Sequence, residues 1–338
     1  MQSILHITNG DCAGDLIRAS GIAGDVLAWR DILHEGPVPR LPLTQLSLVR
    51  ADFLAGEGLG EAARIRADFA ERDSTLMRFD CYDQVVLWFE WDLYDQLQLI
   101  QLLDFFSANW SGDSSETHPR LDIVCIEGYL GNTAVEDYPS LFEKRAPVTG
   151  EMLKVGRDAW RAFTSSDLQD VELFIRGDTT PLPFLRDAFF RALEEFPSAR
   201  NGLSRSESQL LEAVSGGPLG FSELFKRVSQ REARVFCGDM AVAGYLERMS
   251  AKPEPLVSYA SGDRIRYPRD GEDSAAFRNA QVALTEAGRS VLAGGRDWID
   301  MGGADRWLGG VHLQGRNSPW RWDSDAETLR MRESGVNG

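Results

Sequence analysis

The sequence predicts an α/β protein in which a doubly wound, mainly parallel sheet is followed by a helical bridge and a winged-helix-like domain. Two observations support this fold class. Four short apolar runs with many β-branched residues end in polar side chains, and segments with helical spacing separate them, as in a parallel sheet. These runs are residues 3–11, 25–35, 84–92 and 121–128. Later in the chain, helical patterns and two short strand patterns follow one another as in a winged helix.

The composition indicates the class of protein. The 338 residues are enough for two or three domains, and a hydrophobic content of 43% is ordinary for a globular core. The N-terminus lacks the basic and apolar stretches of a signal peptide, the apolar runs are too short to span a bilayer, and the four cysteines have no paired spacing. We therefore expect a soluble protein of the reducing cytoplasm with no membrane partner.

The charge is uneven along the chain. Acidic side chains far outnumber basic ones in residues 1–199, which hold the whole net charge of −16, whereas residues 200–338 balance. An acidic half would repel a phosphate backbone, so nucleic acid is disfavoured as a partner but stays an alternative. The acidic side chains either form a solvated surface or gather in a cleft, where they would hold a divalent cation or a cationic substrate.

Strands and helices alternate in the first domain, which we predict at residues 1–150 and expect to bind a small-molecule ligand. The third and fourth strands cover residues 84–89 and 121–126, and residues 107–120 are predicted to form a surface loop. Residues 34–39 form a stiff irregular loop because two prolines fix φ. Helical spacing covers residues 12–20, 43–54, 59–72 and 93–106.

A helical bridge is predicted at residues 151–200. It contains the amphipathic segment 182–196 and ends in the breaker-rich linker 197–202. The last part of the chain, residues 296–338, is a tail rich in Trp and Arg that we expect to pack back on the body.

The winged-helix-like domain is predicted at residues 201–295. Ser204 and Glu207 form a capping-box pattern at the start of its first helix. Its predicted helices cover residues 205–214, 221–228, 234–249 and 289–292. Its predicted strands cover residues 256–260, 264–267 and the segment from 282 that leads into the last helix.

Polar side chains that follow parallel strands meet at one edge of the sheet, where ligands bind in such folds. The first of them are Asn9, Gly10 and Asp11, between a strand and a helix. Free N–H groups and the positive end of the helix dipole would bind an anion there, and Gly10 would let it approach the backbone. Alternatively, Asp11 caps the helix and competes with a phosphate for the same donors. Both interpretations stay open.

Two histidines are candidates near the same edge. His6 lies inside the first strand, where a histidine is more typical of a hydrogen-bonded core than of catalysis, and it is kept as a ligand-binding candidate. His34 and Glu35 follow Asp31 in the proline-stiffened loop. An imidazole beside carboxylates could act as an acid–base pair near neutral pH, and the alternative is an ordinary polar loop.

The densest polar cluster lies at the end of the third strand. The helix dipole favours acidic residues in a first helical turn, which explains Asp92 and Asp95 without a function. Glu90 and Glu127 each follow a strand and have no such explanation. They could hold Mg²⁺ or Mn²⁺ through oxygen ligands, bind ribose hydroxyls or share a proton. Tyr94 is a ligand-binding candidate beside them.

The helix predicted at residues 234–249 would be the DNA-reading helix of a winged helix. It offers only Arg234 and Arg248 as cations, and Asp239 and Glu247 oppose them. A recognition helix normally presents more basic or amide side chains to the bases. A packing or dimerising module is therefore favoured over a DNA reader, and a second copy of the chain is the corresponding partner.

The tail segment 305–323 interleaves tryptophan with arginine. Such a pattern could stack bases, but a tail this apolar is more typical of one that folds back on the body. We expect it to close over the acidic edge of the first domain, with His312 or Arg316 facing the carboxylates. The interleaved residues are Arg306, Trp307, Arg316, Trp320, Arg321 and Trp322.

Four segments together resemble a known bacterial family. They are HITNGD, WRDILHEGPVP, WFEWDLYDQLQLIQLLD and GGVHLQGRNSPWRWD, at residues 6–11, 29–39, 88–104 and 309–323. The chain resembles the bacterial family numbered 1835 among domains of unknown function and the companion C-terminal family numbered 3658. The resemblance covers nearly the whole chain. It implies that the strand-end residues and the Trp-rich tail belong to the family's pattern, and it implies no reaction.

The sequence leaves three functions open, only one of which is enzymatic. The first is an enzyme that acts on a phosphorylated or nucleotide-like ligand at the carboxyl ends of the strands, by metal-assisted hydrolysis or transfer. The others are a ligand-sensing transcriptional regulator and a protein-interaction scaffold. The catalytic candidates are Asp31, His34, Glu35, Glu90 and Asp92. The ligand-binding candidates are His6, Asn9, Gly10, Asp11, Tyr94, Glu127, His312 and Arg316, and the metal-binding candidates are Glu90 and Glu127.

Overall fold

The computed structural model describes residues 2–110, 119–251, 253–268, 272, 274–316 and 320–332. The chain divides into two compact units, Met1–Phe189 with Gly309–Val311, and Phe190–Leu308 with His312–Gly338. The four-part division predicted from the sequence stays a prediction. The predicted surface loop at residues 107–120 lies partly outside the described residues.

The first unit contains a five-stranded sheet that is mainly parallel. Its strands stand in the order β2-β1-β3-β4-β5; the first four are parallel, and β5 is an antiparallel edge strand. The predicted α/β fold class is therefore confirmed. The strands are β1 (Ile4–Thr8), β2 (Asp25–Ala28), β3 (Gln84–Glu90), β4 (Arg120–Ile126) and β5 (Ala146–Pro147).

Both faces of this sheet are covered. On one face, Val86 and Trp88 of β3 share a core with Ala13 and Ile17 of the first helix. The side chains that alternate with them, such as Leu87, are also fully buried. Burial on both faces explains why β3 is apolar without interruption from Val85 to Phe89.

Helices connect the strands and follow the sheet. They are α1 (Asp11–Ala19), α2 (Leu43–Gly56), α3 (Ala62–Met77), α4 (Leu93–Asn109), α5 (Tyr138–Glu143), α6 (Gly150–Phe163), α7 (Leu168–Ile175) and α8 (Leu185–Leu193). Strand β2 ends at Ala28, well before the end of the apolar run from which it was predicted. The chain then enters the loop stiffened by Pro37 and Pro39, which cannot donate to a strand ladder.

The second unit begins within α8 and contains six further helices. They are α9 (Arg205–Val214), α10 (Phe221–Ser229), α11 (Asp239–Ser250), α12 (Ala275–Asn279), α13 (Glu286–Leu292) and α14 (Trp298–Gly302). The predicted capping box at the start of α9 is confirmed, because Ser204 and Glu207 each bond the other's backbone N–H. None of the helices in the described ranges combines the length and the apolar composition that a membrane span requires.

The remaining strands form three small sheets. An antiparallel sheet has the order β6-β8-β7, and β9 pairs with β10 and β11 with β12. The strands are β6 (Leu219–Gly220), β7 (Val257–Tyr259), β8 (Gln281–Leu284), β9 (Ala304–Leu308), β10 (Val311–Gly315), β11 (Trp320–Asp323) and β12 (Thr328–Met331).

Two predicted elements of this region were wrong. Helix α11 begins at Asp239 and not at residue 234, because Gly238 precedes it and glycine is a poor residue for a helix interior. Residues 264–267 form no strand; β7 pairs instead with β8. The turn in which Tyr259 N donates to the carbonyl of Asp263 ends β7 before those residues.

Candidate functional site

Three carboxylates converge where β3 leads into α4. Glu90 is the last residue of β3, Asp92 is the N-cap of α4, and Asp95 lies in the first turn of that helix. Only 5% of Glu90, 3% of Asp92 and 1% of Asp95 is exposed. One oxygen from each carboxylate lies within 4.8 Å of the others. The set therefore has the donor type and spacing for a hard divalent cation.

Hydrogen bonds from three directions hold the carboxylates in place. The Asp92 carboxylate accepts from Asp95 N at 3.2 Å, and Asp95 Oδ1 accepts from Glu90 N at 2.8 Å. Glu90 Oε1 accepts from Leu130 N at 2.7 Å. Asp95 Oδ2 accepts from Asn9 Nδ2 at 2.8 Å. The site is therefore built from the ends of β1 and β3, the start of α4 and the turn after β4.

The carboxylates resist ionisation together. Burial and the charge of Asp92 raise the pKa of Glu90 to about 7. Burial raises the pKa of Asp92 to about 6. Burial and the charges of both neighbours raise the pKa of Asp95 well above its ordinary value. The hydrogen-bond donors described above are a side-chain amide and backbone N–H groups, all of them neutral, so protons or an external cation would offset the charge of the three carboxylates.

The site lies at the point where the strand order reverses. From β1 the chain passes to β2 on one side, whereas β3 lies on the other side of β1. In open α/β sheets ligands bind outside the carboxyl ends of the strands at this point. The geometry therefore brings together the predicted candidates Asn9, Gly10, Glu90 and Asp92.

Tyr94 and His34 border the same site. Tyr94 donates its hydroxyl to the carbonyl of Asn9 at 3.2 Å, and the ring of His34 packs edge-on against Tyr94 with centroids 5.9 Å apart. Burial raises the pKa of Tyr94 beyond its usual range, so the phenol stays protonated. His34 and Glu35 are both buried. Their predicted acid–base role stays a prediction.

Asp11 does not cap α1. Gly10 is the N-cap, with no side-chain cap, and the carboxylate of Asp11 accepts from Arg30 Nε at 2.7 Å and Arg30 Nη2 at 2.5 Å. The hydrogen bonds to Arg30 lower the pKa of Asp11. The interpretation of Asp11 as a cap was therefore wrong, and the first N–H groups of α1 are left to other acceptors.

Asp31 lies in a buried ion pair. Its side chain is fully buried in an ion pair with Arg50, whose Nη2 lies 2.8 Å from Asp31 Oδ1. Arg50 also donates to the carbonyls of Ile32, Glu35 and Pro37. Arg50 thus binds the carboxylate of Asp31 and fixes the loop around it, which favours a structural role, and the catalytic role of Asp31 stays a prediction.

Glu127 is not part of the carboxylate cluster. It is exposed just beyond β4, whereas Asp95 takes its place beside Glu90. The predicted metal pair of Glu90 and Glu127 is corrected on this point. The reason is the cap of α4: a carboxylate at the N-cap and another three residues later face the same end of the strand.

His6 belongs to the core. Its Nδ1 accepts from Trp88 Nε1 at 3.0 Å, and its Nε2 lies 3.2 Å from the carbonyl of Ala23. Burial lowers the pKa of His6, which keeps the ring neutral. Both ring nitrogens have partners within the first unit, as in a hydrogen-bonded core histidine, and the ligand-binding role of His6 stays a prediction.

His312 and Arg316 lie in the second unit. His312 stacks on Trp307 with centroids 4.3 Å apart, and its Nε2 lies 2.9 Å from Asp305 Oδ1. Arg316 is exposed. The turn Gly309–Val311 belongs to the first unit, where Gly309 O accepts from Val38 N at 2.8 Å. That His312 or Arg316 faces the carboxylates stays a prediction.

Two tail arginines have structural partners. Arg306 donates to Glu195 Oε2 at 3.0 Å and to Tyr245 Oη at 2.5 Å, and Arg321 is only 3% exposed. Glu195 also pairs with Arg191 at 2.7 Å. Arg306 is therefore half-buried and Arg321 buried, and the contacts of Arg306 with Glu195 and Tyr245 are internal to the second unit.

The sequence did not point to Thr8 or Arg50, and it assigned Asp95 to the helix dipole. The spacing of three between Asp92 and Asp95 is the signal that could have placed both carboxylates at the end of β3.

No family model matches this chain, and no curated protein matches it. Membership of families 1835 and 3658 stays a prediction.

Proposed function

We propose that the first unit is an enzyme domain that holds Mg²⁺ or Mn²⁺ on Glu90, Asp92 and Asp95. It would act on a small phosphorylated or nucleotide-like molecule by hydrolysis or transfer. The observation that supports this proposal is the convergence of three buried carboxylates within 4.8 Å of one another. A divalent cation offsets their charge with the oxygen ligands that it prefers.

The surroundings of the carboxylates suit this role. Asn9 orients Asp95, and the backbone N–H of Leu130 orients Glu90, as outer hydrogen bonds do around metal ligands. A bound cation would polarise a phosphoryl oxygen of the substrate. His34, which packs against Tyr94 at the same edge, is the candidate for proton transfer.

Calorimetric titration of the full chain with Mg²⁺ and Mn²⁺ tests the cation site. We expect saturable binding that weakens about 10- to 100-fold in Asp92→Asn and Asp95→Asn. Asparagine is a good N-cap, so Asp92→Asn keeps the start of α4. Glu127→Gln is the matched control, because this carboxylate is exposed and outside the cluster. Equal binding by the unmodified chain and Asp95→Asn would refute the site.

The substrate class is tested by thermal shift. The cation-loaded chain is screened against sugar phosphates, nucleotides and their unphosphorylated parents. We expect only the phosphorylated members to raise the melting temperature, because the cation needs an anionic oxygen to polarise. Stabilisation by unphosphorylated sugars alone would contradict the substrate class.

A second candidate function, binding of a protein partner, is suggested by the second unit. Helices α9, α10 and α11 with the sheet order β6-β8-β7 match the element order of a winged helix. The exposed side chains of Arg227 and Arg231 pair with acids, at 2.7 Å from Glu223 and Glu212 respectively. This neutralisation favours a protein partner, such as a second copy of the chain, over DNA.

Two measurements separate these partners. Light scattering after gel filtration reports a homodimer, and fluorescence anisotropy with a random DNA duplex at low salt reports nucleic-acid binding. We expect no salt-dependent DNA binding. A steep loss of DNA affinity with rising salt would instead support the regulator. The cytoplasmic location expected from the sequence stays a prediction.

A further inference from the structure

We propose that the N-terminus of α1 and the hydroxyl of Thr8 form a phosphate subsite, in which the phosphate of the substrate bridges to the cation on the carboxylate cluster. The substrate class is thus a phosphate ester bound through its phosphate. This inference rests on the proposed cation site and adds the second half of the binding site to it.

The N-terminus of α1 has no side-chain cap. Gly10 precedes the nine-residue helix, and Asp11 is turned away to Arg30. The first backbone N–H groups of a helix have no partners within the helix and carry the positive end of its dipole. An anion is the ligand that such a terminus binds.

Thr8 supplies an independent indication of a ligand. Its side chain is 0% exposed, and its hydroxyl has no hydrogen-bond partner within the described ranges of the chain. A buried hydroxyl without a partner destabilises the protein, and a ligand oxygen would supply the missing partner. An acceptor oxygen of a bound phosphate would satisfy this hydroxyl.

Thr8 lies next to both parts of the site. Thr8 pairs in register with Trp88, and side chains alternate along a strand, so Thr8 and Glu90 lie on the same face of the sheet. The methyl group of Thr8 lies 3.7 Å from the point that a Cβ on Gly14 would occupy. Thr8 thus lies beneath the beginning of α1, on the Glu90 side of the sheet.

There is room for the ligand at the start of the helix. A Cβ added to Gly10 would meet no atom within 4 Å. The side chain of Arg30 is 58% exposed, and its ion pair with Asp11 cancels the charge of that carboxylate next to the helix start. Open space beside the first N–H groups of the helix suits a phosphate group.

Phosphate binding at this subsite should require a bound cation. In their ionised form, the carboxylates of Glu90, Asp92 and Asp95 would repel a phosphate bound at the start of α1. A divalent cation between them reverses the sign of the interaction. Phosphate binding must therefore depend on the cation, and the order of binding is cation first or both together.

Titration of the full chain with inorganic phosphate, with and without saturating Mg²⁺, tests the subsite. We expect phosphate to bind only with Mg²⁺ and about tenfold more weakly in Thr8→Val. Thr8→Ser keeps the hydroxyl and should keep the affinity. Because Thr8→Val removes an orphan hydroxyl at constant shape, its melting temperature without ligand should equal or exceed that of the unmodified chain.

Thr164→Val is the matched control. Thr164 is also buried, but its hydroxyl donates to the carbonyl of Trp160 at 2.8 Å. We expect Thr164→Val to lower the melting temperature and leave phosphate binding unchanged. If Thr8→Val does not fold, Thr8→Ala compared with Thr8→Ser decides the role of the hydroxyl.

The possible failures are distinguishable. If Mg²⁺ binds but phosphate binds equally to Thr8→Val and to the unmodified chain, the subsite is wrong and the cation site stands. If Mg²⁺ does not bind, the proposed function fails together with the subsite. Phosphate binding of equal strength without Mg²⁺ would overturn the bridge to the cation.

Discussion

Asn9 Nδ2 donates a 2.8 Å hydrogen bond to Asp95 Oδ2, which links the end of β1 to the first turn of α4. These residues are far apart in the chain but adjacent at the reversal of the strand order. Asp95 is buried, and this bond favours its ionised form. The hydrogen bond holds Asp95 in the carboxylate cluster. Its donor, Asn9, follows Thr8 of the proposed phosphate subsite.

Asn9→Ala should weaken cation binding about tenfold, because a carboxylate that loses its orienting hydrogen bond is a poorer ligand. Calorimetric titration with Mn²⁺ measures the effect. Asn109→Ala is the control, since Asn109 donates to the carbonyl of Phe105 at the far end of α4. An affinity unchanged by Asn9→Ala would show that Asn9 does not position Asp95.

The stability of the cation-free protein should fall as pH rises, owing to Glu90. The folded state raises the pKa of this carboxyl from 4.5 to about 7, so between these values the folded chain keeps a proton that the unfolded chain has lost. The stabilisation is fully present below pH 4.5 and is lost as pH rises through about 7.

Glu90→Gln should remove this contribution, which we expect to be about 2 kcal/mol of unfolding free energy. Urea denaturation in the presence of a chelator, at pH 5 and pH 8, measures it. At pH 8 the variant should be more stable than the unmodified chain. Parallel pH profiles for Glu90→Gln and the unmodified chain would contradict the prediction, and Glu127→Gln should show no change of slope.

The pair of Asp31 and Arg50 should act as one structural unit. Arg50→Met leaves a fully buried carboxylate without its partner, so we expect a loss of about 3–5 kcal/mol in unfolding free energy. The double variant Asp31→Asn with Arg50→Met should recover much of this loss, because the uncompensated charge is gone. Denaturant melts report both values. If Arg50→Met were as stable as the unmodified chain, Arg50 would not be needed to offset the charge of Asp31.

Arg306 should contribute to the free energy of unfolding and not to nucleic-acid binding. Arg306→Met removes a guanidinium from the buried Glu195, which keeps Arg191 as a partner, so we expect a loss of about 2 kcal/mol. Denaturation of the full chain measures this loss, and anisotropy with a single-stranded oligonucleotide tests binding. A variant with normal stability and reduced oligonucleotide affinity would contradict the structural role.

The strands and helices were largely predictable because their signals are local. The apolar run of β3, the helical spacing of α4 and the capping box of α9 depend on residues within a few positions of one another. The errors occurred where a strand pairs with a segment that is distant in the sequence. Residues 264–267 were predicted as a strand close to β7, but β7 pairs with β8, more than twenty residues further along the chain.

The sequence by itself determined the α/β class, the polar edge of the sheet and the position of Glu90 at the end of a strand. The tertiary structure alone decided which polar residues meet there. It buried Asp31 against Arg50, left Glu127 in solvent and brought Asp95 to Glu90 and Asn9. The physical reason is that strand order and charge pairing depend on contacts across the whole unit, whereas the patterns in a sequence report only the period of each element.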